Sequence, residues 1–232
     1  MDRIALLYRP NDTESKALHG FITGITDKKP QQQTTAARLT IDDDIFTIRN
    51  GILVQYKARD YIVRVPEGVE SIAQTAFRGL DRILGINLPT TLRNIENYAF
   101  SNCSSLTDMT VPGGVTQISP YTFYGCRNLD AVHLPIGTLT IGRSAFEGCT
   151  ILRSINIPRN VYSICPHAFE SCESLRSLVI PGGIRYIGRC AFHRCTSLAN
   201  VCYDGTREQW SRVMIEEGAF PPRTALHFFN LR

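Results

Sequence analysis

Along most of this chain the apolar positions recur with a period far longer than that of a helix or a strand. Phe77, Phe100, Phe123, Phe146, Phe169 and Phe192 stand 23 residues apart, and so do Pro66, Pro89, Pro112, Pro135, Pro158 and Pro181. Three residues after each proline come Val69, Leu92, Val115, Thr138, Val161 and Ile184. Three further on come Ile72, Ile95, Ile118, Ile141, Ile164 and Ile187. Each period closes on Ile83, Leu106, Leu129, Leu152, Leu175 or Leu198 and an alternating pair such as Ile155 and Ile157, just before the next proline.

A unit this short cannot bury its own apolar side and must bury it against the next copy, so the pattern predicts a solenoid. The in-and-out alternation of "SINIP" and "SLVIP" reads as a short strand, and successive strands form a parallel sheet with coils about 4.8 Å apart. That step places the phenylalanine rings in an offset stack, within roughly 4.5–7 Å of one another. Proline lacks an N–H and stands where the strand ends. The glycine pairs after Pro112 and Pro181 are expected to supply a tight exit turn. Repeat four places Thr138 where valine is expected and Leu139 one residue later, which predicts a shifted turn. The first repeat has Leu80 where later repeats have Cys103, Cys126, Cys149, Cys172 and Cys195. Five cysteines in one column point into one interior; they read as buried thiols used as small apolar filler, since a five-member ladder cannot pair off completely.

Upstream, "FTIRNGILVQY" predicts a hairpin around Asn50-Gly51. The organisation expected is an N-terminal extension and linker over 1–40, a cap hairpin and first strand over 41–65, six repeats over 66–203 and a C-terminal cap over 204–232. In the extension, "RIALLY" reads as a strand, "ESKALHGFITGI" as a short amphipathic element and "KKPQQQTTAAR" as a polar linker. The extension serves either as a docking segment or extended cap, or as a loosely packed tail.

The repeat Leu-x-x-Ile-x-Ile-Pro-x-x-Val-x-x-Ile-x-x-x-Ala-Phe-x-x-Cys resembles the BspA-type, or treponemal-type, leucine-rich repeat family over roughly residues 41 to 230. The resemblance implies an α/β fold, a right-handed leucine-rich-repeat solenoid with a parallel concave sheet and a cap at each end. "YDGTREQW" and "ALHFF" are similar to the family's C-terminal cap, with Trp210 over the last open core. It also implies a non-enzymatic binding module working through the concave face.

Composition adds limits. With 43% hydrophobic and 20% charged residues the chain has globular content, and a net charge of +4 supplies no concentrated basic stripe for nucleic acid. No run of 18 apolar residues is present. An N-terminus that begins Met-Asp and turns polar after "IALLY" reads as lacking a signal peptide, so the expected location is the cytoplasm, or the cell surface if a leader was removed. No phosphate loop, nucleophile elbow or His-x-x-x-His pair occurs. "CPHAFESC" and "CAFHRC" invite a zinc reading, but Cys172 and Cys195 point inward and His167 and His193 outward, so convergent ligands are not expected. No metal, cofactor or catalytic residue is assigned.

Binding is expected on the strand positions left free by the core: Arg64, Asn87, Thr110, His133, Asn156 and Val179 in one column, flanked by Asp108, Asp130, Arg153 and Arg176, with Arg159 nearby. This face is acidic near Asp108 and Asp130 and basic around Arg153, Arg159 and Arg176, a zoning suited to a protein surface of opposite polarity. A solvated face without a selected partner is the plain alternative. The functional expectation is an intracellular adaptor or sensor, with a surface adhesin as alternative and polyanion binding at the arginines behind it. Tyr98 and Tyr121 are expected to stack near the Phe turn.

Overall fold

The computed structural model describes residues 39–229, which lie within one compact unit, Ala37–Arg232. The strand, amphipathic element and linker expected before residue 39 lie outside the described residues.

The described chain opens with β1 (Ile41–Asp42), β2 (Phe46–Arg49) and β3 (Ile52–Tyr56), antiparallel in that order. Asn50 (φ 52°) and Gly51 (φ 76°) make the predicted tight hairpin, both in the left-handed region that this turn requires. A register shift between Thr47 and Ile48 marks a bulge in β2. Asp43 turns the chain into β2, its Oδ1 accepting from the N–H groups of Ile45 and Phe46.

From there longer and two-residue strands alternate: β4 (Ile62–Arg64), β5 (Ser71–Ile72), β6 (Gly85–Asn87), β7 (Asn94–Ile95), β8 (Asp108–Thr110), β9 (Gln117–Ile118), β10 (Ala131–His133) and β11 (Thr140–Ile141). The coil that follows has only its short strand, β12 (Ser163–Ile164). Then come β13 (Ser177–Ile180), β14 (Tyr186–Ile187), β15 (Asn200–Asp204), helix α1 (Arg207–Trp210), β16 (Met214–Ile215) and β17 (Ala225–Phe229). Among the described residues α1 is the only helix, closed at its start by a Thr206–Gln209 capping box.

The coils stack by parallel pairing of like positions, as the period predicts. One side carries the sheets β10-β8-β6-β4 and β13-β15-β17; the other carries β5 and β7 beside the hairpin, and β16-β14-β12-β11-β9. Thus the isoleucine column, read from sequence only as core, also forms a ladder. The strand expected at "SINIP" is absent, and residues 154–157 divide the longer-strand side between β10 and β13.

The phenylalanine column closes each coil at its third side. From Tyr56 through Phe220 the rings follow one another at 5.1–5.5 Å, and Phe77 through Phe192 are wholly buried. The column therefore runs past the six repeats: Tyr56 extends it at the hairpin, and Phe220 in a coil lengthened by α1. Trp210 packs against Tyr203 at 4.9 Å and Phe220 at 6.4 Å, next to the last core layer.

The cysteines do more than fill space. Cys103, Cys126, Cys149, Cys172 and Cys195 each donate Sγ–H to the carbonyl of the phenylalanine one coil earlier, at 3.0–3.3 Å. All eight thiols are unbridged.

One local expectation is corrected. Repeat four is not shifted: Thr138 takes the valine position with no exposure, its Oγ1 donating to the Pro135 carbonyl at 2.8 Å, and Leu139 faces out. The hydroxyl satisfied within its own turn removes the penalty of burying it. The glycine pairs do sit in the expected tight turns, closed by the Val115 and Ile184 N–H groups donating to the Pro112 and Pro181 carbonyls at 3.0 Å, but none of Gly113, Gly114, Gly182 and Gly183 has positive φ. Gly114 and Gly182 serve close approach instead, since a side chain would collide with the Leu92 carbonyl or the Asp204 carbonyl respectively.

Candidate functional site

Inward positions of the longer strands are held by the core, so Val63, Ile86, Met109 and Val132 are buried and the residues between them face out. Pairing in register sets their neighbours: Arg64 lies beside Asn87, Thr110 beside His133, and Val179 beside Cys202. Arg64, Asn87, Asp108, Thr110, His133, Arg153, Asn156, Arg159, Arg176 and Val179 are exposed, and Asp130 is half-buried.

The expected charge zones partly cancel. Arg153 Nη1 reaches Asp130 Oδ2 at 3.2 Å, and His133 Nε2 stands 3.9 Å from Asp108 Oδ2. With side chains this exposed the pairs add little stability, but they remove Arg153 from any uncompensated basic cluster.

Six of the eleven residues line two separate recesses. Asn87, Asp108 and Thr110 line a recess of about 610 Å³ whose other walls include Ile62, Leu84, Leu88 and Thr107. Asn156, Arg159 and Val179 line a smaller one of about 340 Å³ with Ile136 and Asp204, beside the unpaired stretch 154–157. What sequence reasoning missed is the apolar rim of the first recess: Ile62 and Leu84 are 53% and 42% exposed. The available signal was Gly85, the partner of Ile62 across the ladder, whose missing side chain leaves room for the Ile62 δ-methyl to lean over it.

A second feature lies on the edge of the Phe turn. Tyr98 and Tyr121 stack as expected, at 4.5 Å and 5° from parallel, with the Arg78 guanidinium 5.7 Å from the Tyr98 ring centre. Two coils on, His167 and His193 meet on one carboxylate: His167 Nδ1 is 2.5 Å from Glu170 Oε2, and His193 Nδ1 is 3.0 Å from Oε1. An ionised carboxylate only accepts, so both Nδ1 atoms carry the proton. Partial burial pushes the Glu170 carboxyl up, but the hydrogen bonds with His193 and His167 outweigh it and hold the group below its ordinary value. The histidines converge on Glu170, a residue the sequence reading did not weigh, while Cys172 and Cys195 remain in the core. Among the described residues no group of three or more histidines, cysteines or carboxylates is arranged to hold a metal ion, and no helix is long and apolar enough to cross a membrane.

The model of the BspA type leucine rich repeat region matches residues 56–176 and 116–230, in six copies. Two solved structures share the fold. A leucine-rich repeat protein from Bacteroides ovatus is 27% identical, with a TM-score of 0.62, over 78% of this chain and 47% of its own. One from Eubacterium ventriosum is 20% identical, with a TM-score of 0.62, over 76% of this chain and 49% of its own. The chain thus spans about half the length of these relatives. None of the curated proteins is significantly similar to it. Repeats of this kind are protein-interaction modules, generally without catalytic activity. The period, the stacked coils and the matched residues together make the chain a member of the BspA-type leucine-rich repeat family.

Proposed function

We propose that the chain is a non-enzymatic recognition module that binds a protein partner inside the cell through the outward face of its longer strands. The observation that carries this reading is the recess beside β6 and β8. Its exposed apolar rim, Ile62 and Leu84, stands next to the side-chain donors and acceptors of Asn87, Asp108 and Thr110. An apolar anchor ringed by polar groups is the composition of a protein contact. The intracellular part is supported by eight unbridged thiols, three of them partly exposed, which suit a reducing compartment. A polyanion reading is disfavoured by the pairing of Arg153 with Asp130.

The test is capture of partners from the source cell, identification of each, and remeasurement with purified components. Ile62→Asp and Asp108→Arg, both at exposed positions, are expected to abolish binding of the same partner that Leu139→Asp, on the opposite side of the coil, retains. A partner lost to Leu139→Asp and kept by the other two would refute the proposed face.

A further inference from the structure

Main-chain hydrogen bonds tie successive coils together on every side, and on the longer-strand side that tie lapses at one level. Between β10 and β13, residues 154–157 form no strand. Among the described residues, none of their N–H groups or carbonyls has a hydrogen-bond partner. The column of bonds that leads into the longer strands shows the same lapse. The N–H groups of Leu84, Thr107 and Asp130 each donate to the coil before, at 2.7, 3.1 and 2.9 Å. Arg153 N–H, next in the column, makes no such bond; at Arg176 the bond returns, stretched to 3.4 Å, and at Ala199 it is 3.2 Å.

Both other sides run through this level unbroken. β9, β11, β12 and β14 stay paired, and Phe123, Phe146 and Phe169 stack at 5.2 and 5.1 Å. At the Phe turn the N–H groups of Phe123 and Phe146 donate to the Ala145 and Ala168 carbonyls at 2.8 Å. Ile155 and Ile157 are still buried, so their side chains hold the segment to the core while its main chain is tied to neither neighbour. Apolar packing is non-directional and tolerates a change of angle, whereas a strand ladder has a fixed hydrogen-bond geometry and resists one.

We propose that this level is a joint. The block that ends with β10 and the block that starts with β13 rock about the short-strand ladder and the phenylalanine column, and the longer-strand face opens and closes at residues 154–157. The 340 Å³ recess straddles the joint, with Leu134 and Ile136 on the first block and Val179, Pro181 and Asp204 on the second. A group seated between these walls fits the open and closed forms differently, and so shifts the balance between them. The joint goes beyond the recognition role and stands or falls with the backbone, whichever partner the face takes.

Two spin-label pairs, each spanning about five coil steps or about 24 Å, read the motion by pulsed electron–electron double resonance. Arg64→Cys with Val179→Cys crosses the break on the longer-strand side; Asn94→Cys with Met214→Cys spans as many coils on the short-strand side. All four positions are exposed, and the partly exposed Cys165, Cys190 and Cys202 are replaced by serine in both proteins. The first pair is expected to give the broader distance distribution, and a width no greater than that of the second pair overturns the proposal. Hydrogen exchange of the unmodified chain is the second measurement. The amides of residues 154–157 are expected to exchange well ahead of those of β10 and β13. Equal protection across the three segments overturns the joint as well, whether or not the labelled variants fold.

Discussion

Phe146→Ala tests what holds the coils together. The ring is wholly buried and lies between Phe123 at 5.2 Å and Phe169 at 5.1 Å, within 12° and 6° of parallel. Truncating a buried phenylalanine costs about 3–5 kcal/mol, and each stacked pair contributes about 0.5–1.5 kcal/mol beyond area. Loss of both neighbours at once places this change near the upper end, about 4–5 kcal/mol, a large part of the roughly 5–15 kcal/mol that holds a domain. The main chain is unaffected in kind: the N–H of residue 146 still donates to the Ala168 carbonyl, and its own carbonyl still accepts from Cys172 Sγ. Phe146→Leu retains most of the volume and forfeits both ring contacts, for about 1–3 kcal/mol. The assay is urea unfolding of the three proteins, comparing midpoints at a common slope. A loss under about 2 kcal/mol for Phe146→Ala, or an equal loss for the two variants, would refute the reasoning that the stacked rings hold neighbouring coils together beyond the volume they fill.

The thiol ladder makes a second prediction. Burial pushes Cys103 up to about 12 and raises Cys126, Cys149 and Cys172 as well. In the folded protein at pH 8 a thiol reagent is expected to modify at most Cys165, Cys190 and Cys202, the three partly exposed cysteines, and to reach the five buried ones only on unfolding. Rapid modification of more than three would show the ladder to be open. The third prediction concerns Glu170. Its carboxyl is held below its ordinary 4.5, so its contribution to stability is full above that value and is lost as pH falls through the lower folded value. The gap in unfolding midpoint between the wild-type chain and Glu170→Gln should therefore be constant above about pH 5.5 and close on acidification below about 4.5. A gap that widens with acid would reverse the assigned shift.

How much could be read beforehand follows from which residues the core constrains. Every coil presents the same buried positions, so Phe100, Ile118 and Pro135 announce their neighbours 23 residues away, and the solenoid is legible. The second ladder was not, because a two-residue strand such as Ser163–Ile164 is too short to show alternation. The left-handed column was hidden for a different reason: Tyr98, Tyr121 and Cys190 have no preference for positive φ, and tertiary packing imposes it. On the outward face the period predicts which residues are neighbours but not how long side chains bend, so the Arg153–Asp130 contact that divides the basic zone had to be seen.

The candidate contact features share one property: each is a departure from the period. Gly85 interrupts a column so that Ile62 leans across it and leaves the 610 Å³ recess at its side. Residues 154–157 drop out of the ladder between β10 and β13, where Asn156 and Arg159 line the smaller recess. A repeat fixes the scaffold because identical coils must fit identical neighbours. The same requirement leaves a perfectly regular surface with nothing to distinguish one coil from the next. Specific binding therefore has to be written in the exceptions, and those at Gly85 and at residues 154–157 both fall on the longer-strand side of the coils.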